Sequence, residues 1–341
     1  MGIIGNLNLI RKTYKNWLSM AFVIFKNRRK SIQIHARFRD GLNVTIERSQ
    51  VFQYALICCN KFTGDFKYEI ENSEIGLKVF IYWDTMKIAI PPGLVLDLMR
   101  LNELHLFKAN DESFHDLSNG ILRFQYHGTE LRLKVIEGNT LNGDLGIFLN
   151  EDYSFLKPSG KTIVDIGANI SDSAIYFAMN GAKKVIAFEP YPYAYKMGLE
   201  NISMNGMESI ISLFNIGYGK DGIIHVNDSE TDTGSDLIEN ISGFKVETIS
   251  LGSIIKRFDL PKNVLLKMDC EGCEYNLLSE KDESLYHFNR IQIEYHYGYK
   301  KLLKKIYSAG FKVEKTEPQR IYNQSNSNPI LRVGNLYAIR K

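Results

Sequence analysis

The stretch from Lys161 to Pro190, KTIVDIGANISDSAIYFAMNGAKKVIAFEP, constrains the fold more than any other part of this 341-residue chain. Thr162 to Ile166 is a short apolar, β-branched run that gives way to Gly167 and Asn169, and Ser173 to Met179 carries apolar residues at helical spacing. After Gly181, Lys184 to Phe188 is a second strand-like run, and it stops on an acid, Glu189, 24 residues beyond Asp165. Strand, glycine turn, helix and strand make a βαβ unit, and such units hold ligands at the carboxyl ends of their strands.

The chemistry of those ends narrows the ligand. Gly167 lets a backbone come close to whatever sits there, and an acid closing the second strand can accept the two hydroxyls of a ribose. The phosphate-cradling G-x-G-x-x-G is absent, because the turn reads Gly167, Ala168, Asn169, Ile170, Ser171. A ribose-bearing cofactor without a pyrophosphate, S-adenosylmethionine, fits better than a dinucleotide.

Past Pro158 and Gly160 strands alternate with helices, as a parallel sheet requires. Ile210 to Asn215 reads as a strand ending near Gly217, Phe244 to Ser250 as another, and Val264 to Met268 as a buried strand that stops at Asp269. Ile291 to Tyr295 follows, with Glu294 and His296 at its end, and Phe311 to Lys315 and Val333 to Ile339 bring the candidates to eight, seven of them expected in one sheet. Asn215 and Gly217 join the expected cofactor contacts because they lie where a strand stops. Asp269 and His296 each interrupt an apolar run where a reacting group would sit.

The amino-terminal part has another character. Leu7, Ile10, Tyr14, Trp17, Leu18, Ala21 and Phe25 recur at helical spacing, and Lys26, Arg28, Arg29 and Lys30 follow at once. Residues 1–40 hold nine Lys or Arg against Asp40 alone, so the rest of a chain with net charge +3 carries −5. The apolar core of this helix is far short of the roughly 20 residues that span a bilayer. It is expected either to pack on the protein or to lie on anionic lipid as a peripheral contact through residues 7–30. From Ile32 to Lys157 short strands predominate, with hairpins expected around Asp40-Gly41 and His127-Gly128-Thr129. Residues 1–157 are therefore expected to form a smaller α+β region beside a cofactor domain at 158–341. Four cysteines, two of them the C-x-x-C pair Cys270 and Cys273, suit a reducing compartment, and the expected location is the cytoplasm. No nucleic-acid motif is present, and the sequence sets no oligomeric state.

The strings DIGANISDSAIYFAMNGAKKVIAFEP, LKMDCEGCEYNLL, IQIEYHYG and VGNLYAIRK resemble the FkbM-type methyltransferases, which use S-adenosylmethionine to methylate hydroxyl oxygens. The resemblance runs from about Gly146 to the C-terminus. It implies a Rossmann-like class I methyltransferase, an α/β fold with a seven-stranded, mostly parallel sheet. It also implies cofactor contacts from Asp165, Gly167, Ala168 and Asn169, a ribose turn at Glu189 and Pro190, and a D-x-E-G-x-E signature at Asp269, Glu271, Gly272 and Glu274. Ser171 stands where the family usually has glycine.

The implied reaction is an in-line methyl transfer to an acceptor hydroxyl, that of a sugar, glycan, glycolipid or related small molecule. His296 is the expected base because its unperturbed pKa is near neutrality, with Glu294 to position it and Asp269 beside the methyl. A divalent ion at Asp269 is the alternative, but no metal ligands are assigned, since hard cations want several converging oxygens. A non-catalytic scaffold and a nucleotide-dependent oxidoreductase remain as other classes.

Overall fold

The structure is a computed structural model that describes residues 3–26, 33–39, 41–47, 50–59, 67–73, 76–90, 92–134, 144–226, 243–322 and 330–341. The chain forms two compact units, Met1–Leu145 and Gly146–Lys341. The boundary thus precedes the expected one at 157. Residues just after Gly146 belong to the second unit because strand residues hold their backbone: Arg290 donates to the Phe155 carbonyl at 2.8 Å and Gln292 to that of Asp152 at 2.9 Å.

In the first unit the expected single helix is two, Ile3–Thr13 and Trp17–Lys26. The break has a local cause. Lys15 N–H donates to Arg37 O, and the Asn16 side chain donates to His35 O while accepting from Arg37 N–H, so residues 15 and 16 pair with a strand instead of continuing a helix. Tyr14 is fully buried and packs edge-on against Phe38 at 4.7 Å. Leu18 and Phe22, one turn apart on the second helix, are 67% and 63% exposed. Arg28, Arg29 and Lys30 lie outside the described residues. The hairpins form as expected, Gln33–Arg37 with Asn43–Glu47 and Ile121–Tyr126 with Thr129–Lys134. Among the described residues no helix is long and apolar enough to cross a membrane.

The second unit carries the α/β sheet. Its strands are β1 (Thr162–Ile166), β2 (Lys184–Phe188), β3 (Ile211–Phe214), β4 (Ile216–Tyr218), β5 (Gly222–Val226), β6 (Phe244–Ile249), β7 (Val264–Met268), β8 (Phe288–Tyr295), β9 (Phe311–Lys315), β10 (Gln319–Tyr322) and β11 (Ile330–Arg340). The main sheet runs β3-β2-β1-β7-β8-β11-β9, with β10 paired to β11. Its first five strands are parallel and β11 is antiparallel to both neighbours. Strands β1 and β7 at its centre are buried almost throughout, as strands covered on both faces must be, and each large apolar side chain so buried contributes about 1.5–3 kcal/mol. β6, with exposed and buried residues mixed, leaves this sheet and forms a small one with β4 and β5.

Helix α1 (Asp172–Met179) follows β1, and α2 (Pro192–Met204) follows β2. Ser171, which caps α1, has φ 69°, the left-handed region that explains why glycine is usual there. Its hydroxyl is accommodated by Gly198 on α2, where an added Cβ would come within 2.6 Å of it.

Candidate functional site

Three turns at the carboxyl edge of the sheet meet at one cleft. The turn after β1 is pinned to β2, since Gly167 and Ala168 N–H both donate to Phe188 O at 3.0 Å. It is also pinned to β7, since Asp269 N–H donates to Ile166 O at 3.1 Å. The β1 and β7 turns approach so closely that a Cβ on Gly167 would stand 1.8 Å from the Asp269 carbonyl oxygen. Gly167, with φ 78°, is therefore required by contact with the protein's own backbone before any ligand is considered.

Glu189 closes β2 and is 5% exposed. Its two carboxylate oxygens accept from Asn169 N–H at 2.8 Å and Tyr191 N–H at 2.9 Å, which ties the first two turns together. Burial pushes its pKa up to about 7 against the opposing pull of those two hydrogen bonds. Beside it lies a cavity of about 630 Å³, counting solvent-facing space at its mouth, walled by Gly167, Asn169, Glu189, Tyr218, Asp269 and Glu271 among others. Cys270 and Cys273, joined by a disulfide, form another part of the wall.

Beneath the turns lies an ion pair. Lys267, 2% exposed in the middle of the sheet, sets its Nζ 3.1 Å from Asp165 Oδ1 and donates to Gly167 O at 2.6 Å. Ser173 Oγ donates to the other Asp165 oxygen at 2.7 Å. Burial alone would lower the pKa of Lys267, but Asp165 and Asp269 outweigh it and raise it. The lysine thus fixes the glycine turn from below, and its ammonium lies 5.6 Å from the Tyr153 ring.

At the other end of the cleft, β7 and β8 bring acids around one imidazole. His296 Nδ1 donates to Glu274 Oε1 at 3.1 Å, and Nε2 stands 3.3 Å from Glu271 Oε2 and 3.9 Å from Asp269 Oδ1. Glu274 is fully buried and also accepts from His296 N–H and Gly272 N–H, at 2.9 and 2.8 Å. Burial would lower the imidazole pKa, but Glu271 and Glu274 bring it to about 11. Glu294, hydrogen-bonded to Asp269, is pushed up to about 8, first by the charge of Asp269 and then by burial. Tyr153 OH lies 3.5 Å from Asp269 Oδ2, and burial, then Asp269, raises its pKa well above 10.

The order of the sheet, the glycine turn and the acid ending β2 agree with the comparison to known families, in which residues 165–313 match the methyltransferase FkbM domain. The chain is also 30% identical over 125 residues to "Uncharacterized protein 158B" of Sulfolobus islandicus rod-shaped virus 1, covering 37% of this chain and 56% of that protein. It is 30% identical over 145 residues to the tRNA(Phe) (4-demethylwyosine(37)-C(7)) aminocarboxypropyltransferase of Pyrococcus horikoshii, covering 41% and 45%. The chain spans about half the length of these curated relatives. Among solved structures it is similar to M. jannaschii TYW2 in complex with AdoMet, at 17% identity and a TM-score of 0.36, over 65% of this chain and 87% of that one.

The match to the FkbM domain implies S-adenosylmethionine, and the residues fit it. Asn169 Oδ1 is buried in the cavity wall with no hydrogen-bond partner among the described residues, and an orphaned buried acceptor is the expected trace of a ligand donor. Glu189 retains lone pairs beyond the two N–H groups it accepts.

Of the residues expected at the cofactor, Gly167, Asn169, Glu189, Pro190 and Asp269 line the cavity. Asp165 does not, because its carboxylate is committed to Lys267 and Ser173. Ala168 is buried in the turn, and Asn215 donates instead to the carbonyls of Glu189 and Pro190, both at 2.9 Å. Gly217 yields its place to its neighbours Ile216 and Tyr218, which face the cavity from β4. The expected catalytic residues Asp269, Glu294 and His296 do converge, and the acids that flank His296 raise its pKa, which bears on its expected role as base. Lys267 and Tyr153 were not foreseen. A single Lys within the run VLLKM was the available signal for the first, and nothing in the sequence marks the second.

Proposed function

We propose that the protein is an S-adenosylmethionine-dependent O-methyltransferase acting on a hydroxyl of a sugar, glycan, glycolipid or related small molecule. The observation that carries the reading is Glu189, a buried carboxylate that ties the glycine turn to the end of β2 and faces the cavity. When bound, the cofactor supplies an electrophilic methyl group on a sulfonium sulfur. The chain's own residues do the rest. Glu189 would accept the ribose hydroxyls, Asn169 Oδ1 would take a further donor, and Ile166, Phe188, Ile216 and Tyr218 offer apolar surface for a purine. Lys267 holds the turn in place from within the sheet, so that the donor meets a site already organised.

At the acceptor end, a hydroxyl must lose its proton as its oxygen is methylated. Glu294, hydrogen-bonded to Asp269, titrates at about 8 and is partly ionised near neutrality, which suits a general base. His296, held by Glu274 and set against Glu271 and Asp269, positions these carboxylates in place of acting as the base. The carboxylates of Asp269, Glu271 and Glu294 oppose a phosphodiester backbone, which favours a neutral or cationic acceptor over the RNA named for one relative.

Transfer of deuterated methyl from labelled cofactor into fractionated cell extract, followed by mass spectrometry, tests the reading. Label in a glycan or small-molecule fraction, lost with Glu294→Gln, is the expected result. Label confined to RNA would overturn the acceptor class, and cofactor binding with no transfer to any fraction would favour a non-catalytic scaffold.

A further inference from the structure

Among the described residues, the partners of His296 Nε2 are acceptors alone. Its ring is 96% buried, its other nitrogen donates to a glutamate that is itself fully buried, and the groups set against Nε2 are the oxygens of Glu271 and Asp269. One atom from each of these three side chains lies within 4.8 Å of the other two. An ion with bonds of about 2.1 Å sets tetrahedral donors about 3.4 Å apart, so the 3.3 Å His296–Glu271 pair already fits, the 3.9 Å His296–Asp269 pair needs to close by about half an ångström, and the two carboxylates by at most about 1.4 Å. The carboxylates can do so, as the side chains of Asp269 and Glu271 are 29% and 33% exposed and not locked in the core.

We propose that Asp269, Glu271 and His296 Nε2 form a binding site for a divalent cation, oriented by Glu274. The fold builds it at one place. Asp269 and Glu271 leave the end of β7, His296 leaves the end of β8, and the two strands are direct parallel neighbours, with Met268 beside Ile293. Glu274 supplies the carboxylate-to-histidine contact that commonly fixes the tautomer of a metal-bound imidazole, leaving the Nε2 lone pair toward the ion. Two carboxylates and one imidazole suit manganese, iron or zinc better than calcium or magnesium, which prefer oxygen alone. Three protein donors leave coordination positions open. An acceptor hydroxyl placed in one of them would be acidified as a Lewis acid acidifies water. The proposal differs from the sequence expectation, which assigned no metal ligands, and it rests on the geometry of the cluster, not on the methyl-transfer reading.

The test uses the full chain, stripped with chelator and then titrated with manganese chloride, with free manganese read by electron paramagnetic resonance and heat by calorimetry. One saturable site per chain is expected. Glu271→Gln should weaken it at least tenfold, and Glu274→Gln by about ten- to a hundredfold, the usual cost of losing the group that orients a histidine ligand. His296→Asn should abolish it, and if that variant does not fold, the partly exposed Glu271→Gln still decides. Absence of saturable binding of manganese or zinc, or equal affinity in native, Glu271→Gln and Glu274→Gln chains, would overturn the site and leave only a protonated histidine among acids. Cofactor affinity of the stripped chain, measured alongside, separates this failure from failure of the methyltransferase reading.

Discussion

Replacing Glu189 by Gln removes one charge and little volume, and the structure sets the size of the consequence. In the native chain both carboxylate oxygens already accept a backbone N–H, from Asn169 and Tyr191. A glutamine turns an amino group toward one of those donors, and it offers ribose hydroxyls a neutral acceptor where an ionised one stood. A charge-assisted hydrogen bond is worth about 1.5–3 kcal/mol, so the dissociation constant should rise by about ten- to a hundredfold. The pH dependence is more specific. Burial raises the pKa of Glu189 from 4.5 to about 7, so the free protein favours the neutral acid, whereas ribose hydroxyls favour the carboxylate. Native affinity should therefore increase as pH rises toward 8, being about tenfold weaker at pH 6. Stability of the free protein moves the other way. A raised carboxyl pKa contributes stability that is fully present below the unfolded pKa, near 4.5, and is lost as pH rises through about 7, with an upper limit of about 3 kcal/mol. Calorimetry with S-adenosylhomocysteine at pH 6 and 8, and urea unfolding over the same range, read both effects. Native affinity that is flat between pH 6 and 8 and matches that of Glu189→Gln would refute the assignment of the ribose to this carboxylate.

Lys267→Met should destabilise the second unit by about 3–5 kcal/mol in urea unfolding, because it leaves Asp165 charged and uncompensated in the sheet. Adding Asp165→Asn should restore part of this loss; a single variant as stable as the native chain would contradict the role of the pair. We propose that Leu18 and Phe22 lie on a lipid surface, and full-length protein should sediment with anionic vesicles, less so as salt rises, and cease to do so as Leu18→Ser/Phe22→Ser. Equal sedimentation of native and variant chains would assign those side chains to another contact.

Much of the second unit is legible in the sequence because its elements are continuous in it. The run Thr162 to Ile166, the glycine turn, α1 and the acid after Phe188 follow one another with the periods of strand and helix, and the structure places each where the pattern does. The same holds for Asp269 and His296, polar residues at the ends of apolar strands that prove to be neighbours. What the pattern does not contain is pairing at a distance. Lys267 meets a carbonyl 100 residues away, and its partner Asp165, read as a cofactor contact, is spent inside the sheet. Strand parity is hidden in the same way: Gly217 was expected at the cavity, but residues on either side of it point there. Gly167 was foreseen for its freedom and is needed for its size, since the obstacle is the Asp269 carbonyl. At the other end of the chain, apolar spacing suggested one helix through Tyr14, and only the strand that pairs with residues 15 and 16 divides it.

A crystal structure with S-adenosylhomocysteine is the most direct test of the central claim, that the turns after β1, β2 and β7 form the methyl-donor site. The account predicts the ribose hydroxyls within hydrogen-bond distance of Glu189, a donor of the ligand on Asn169 Oδ1, and the sulfur toward Asp269. Ligand bound elsewhere on the chain, or in this cleft with Glu189 touching only its two backbone N–H groups, would contradict it.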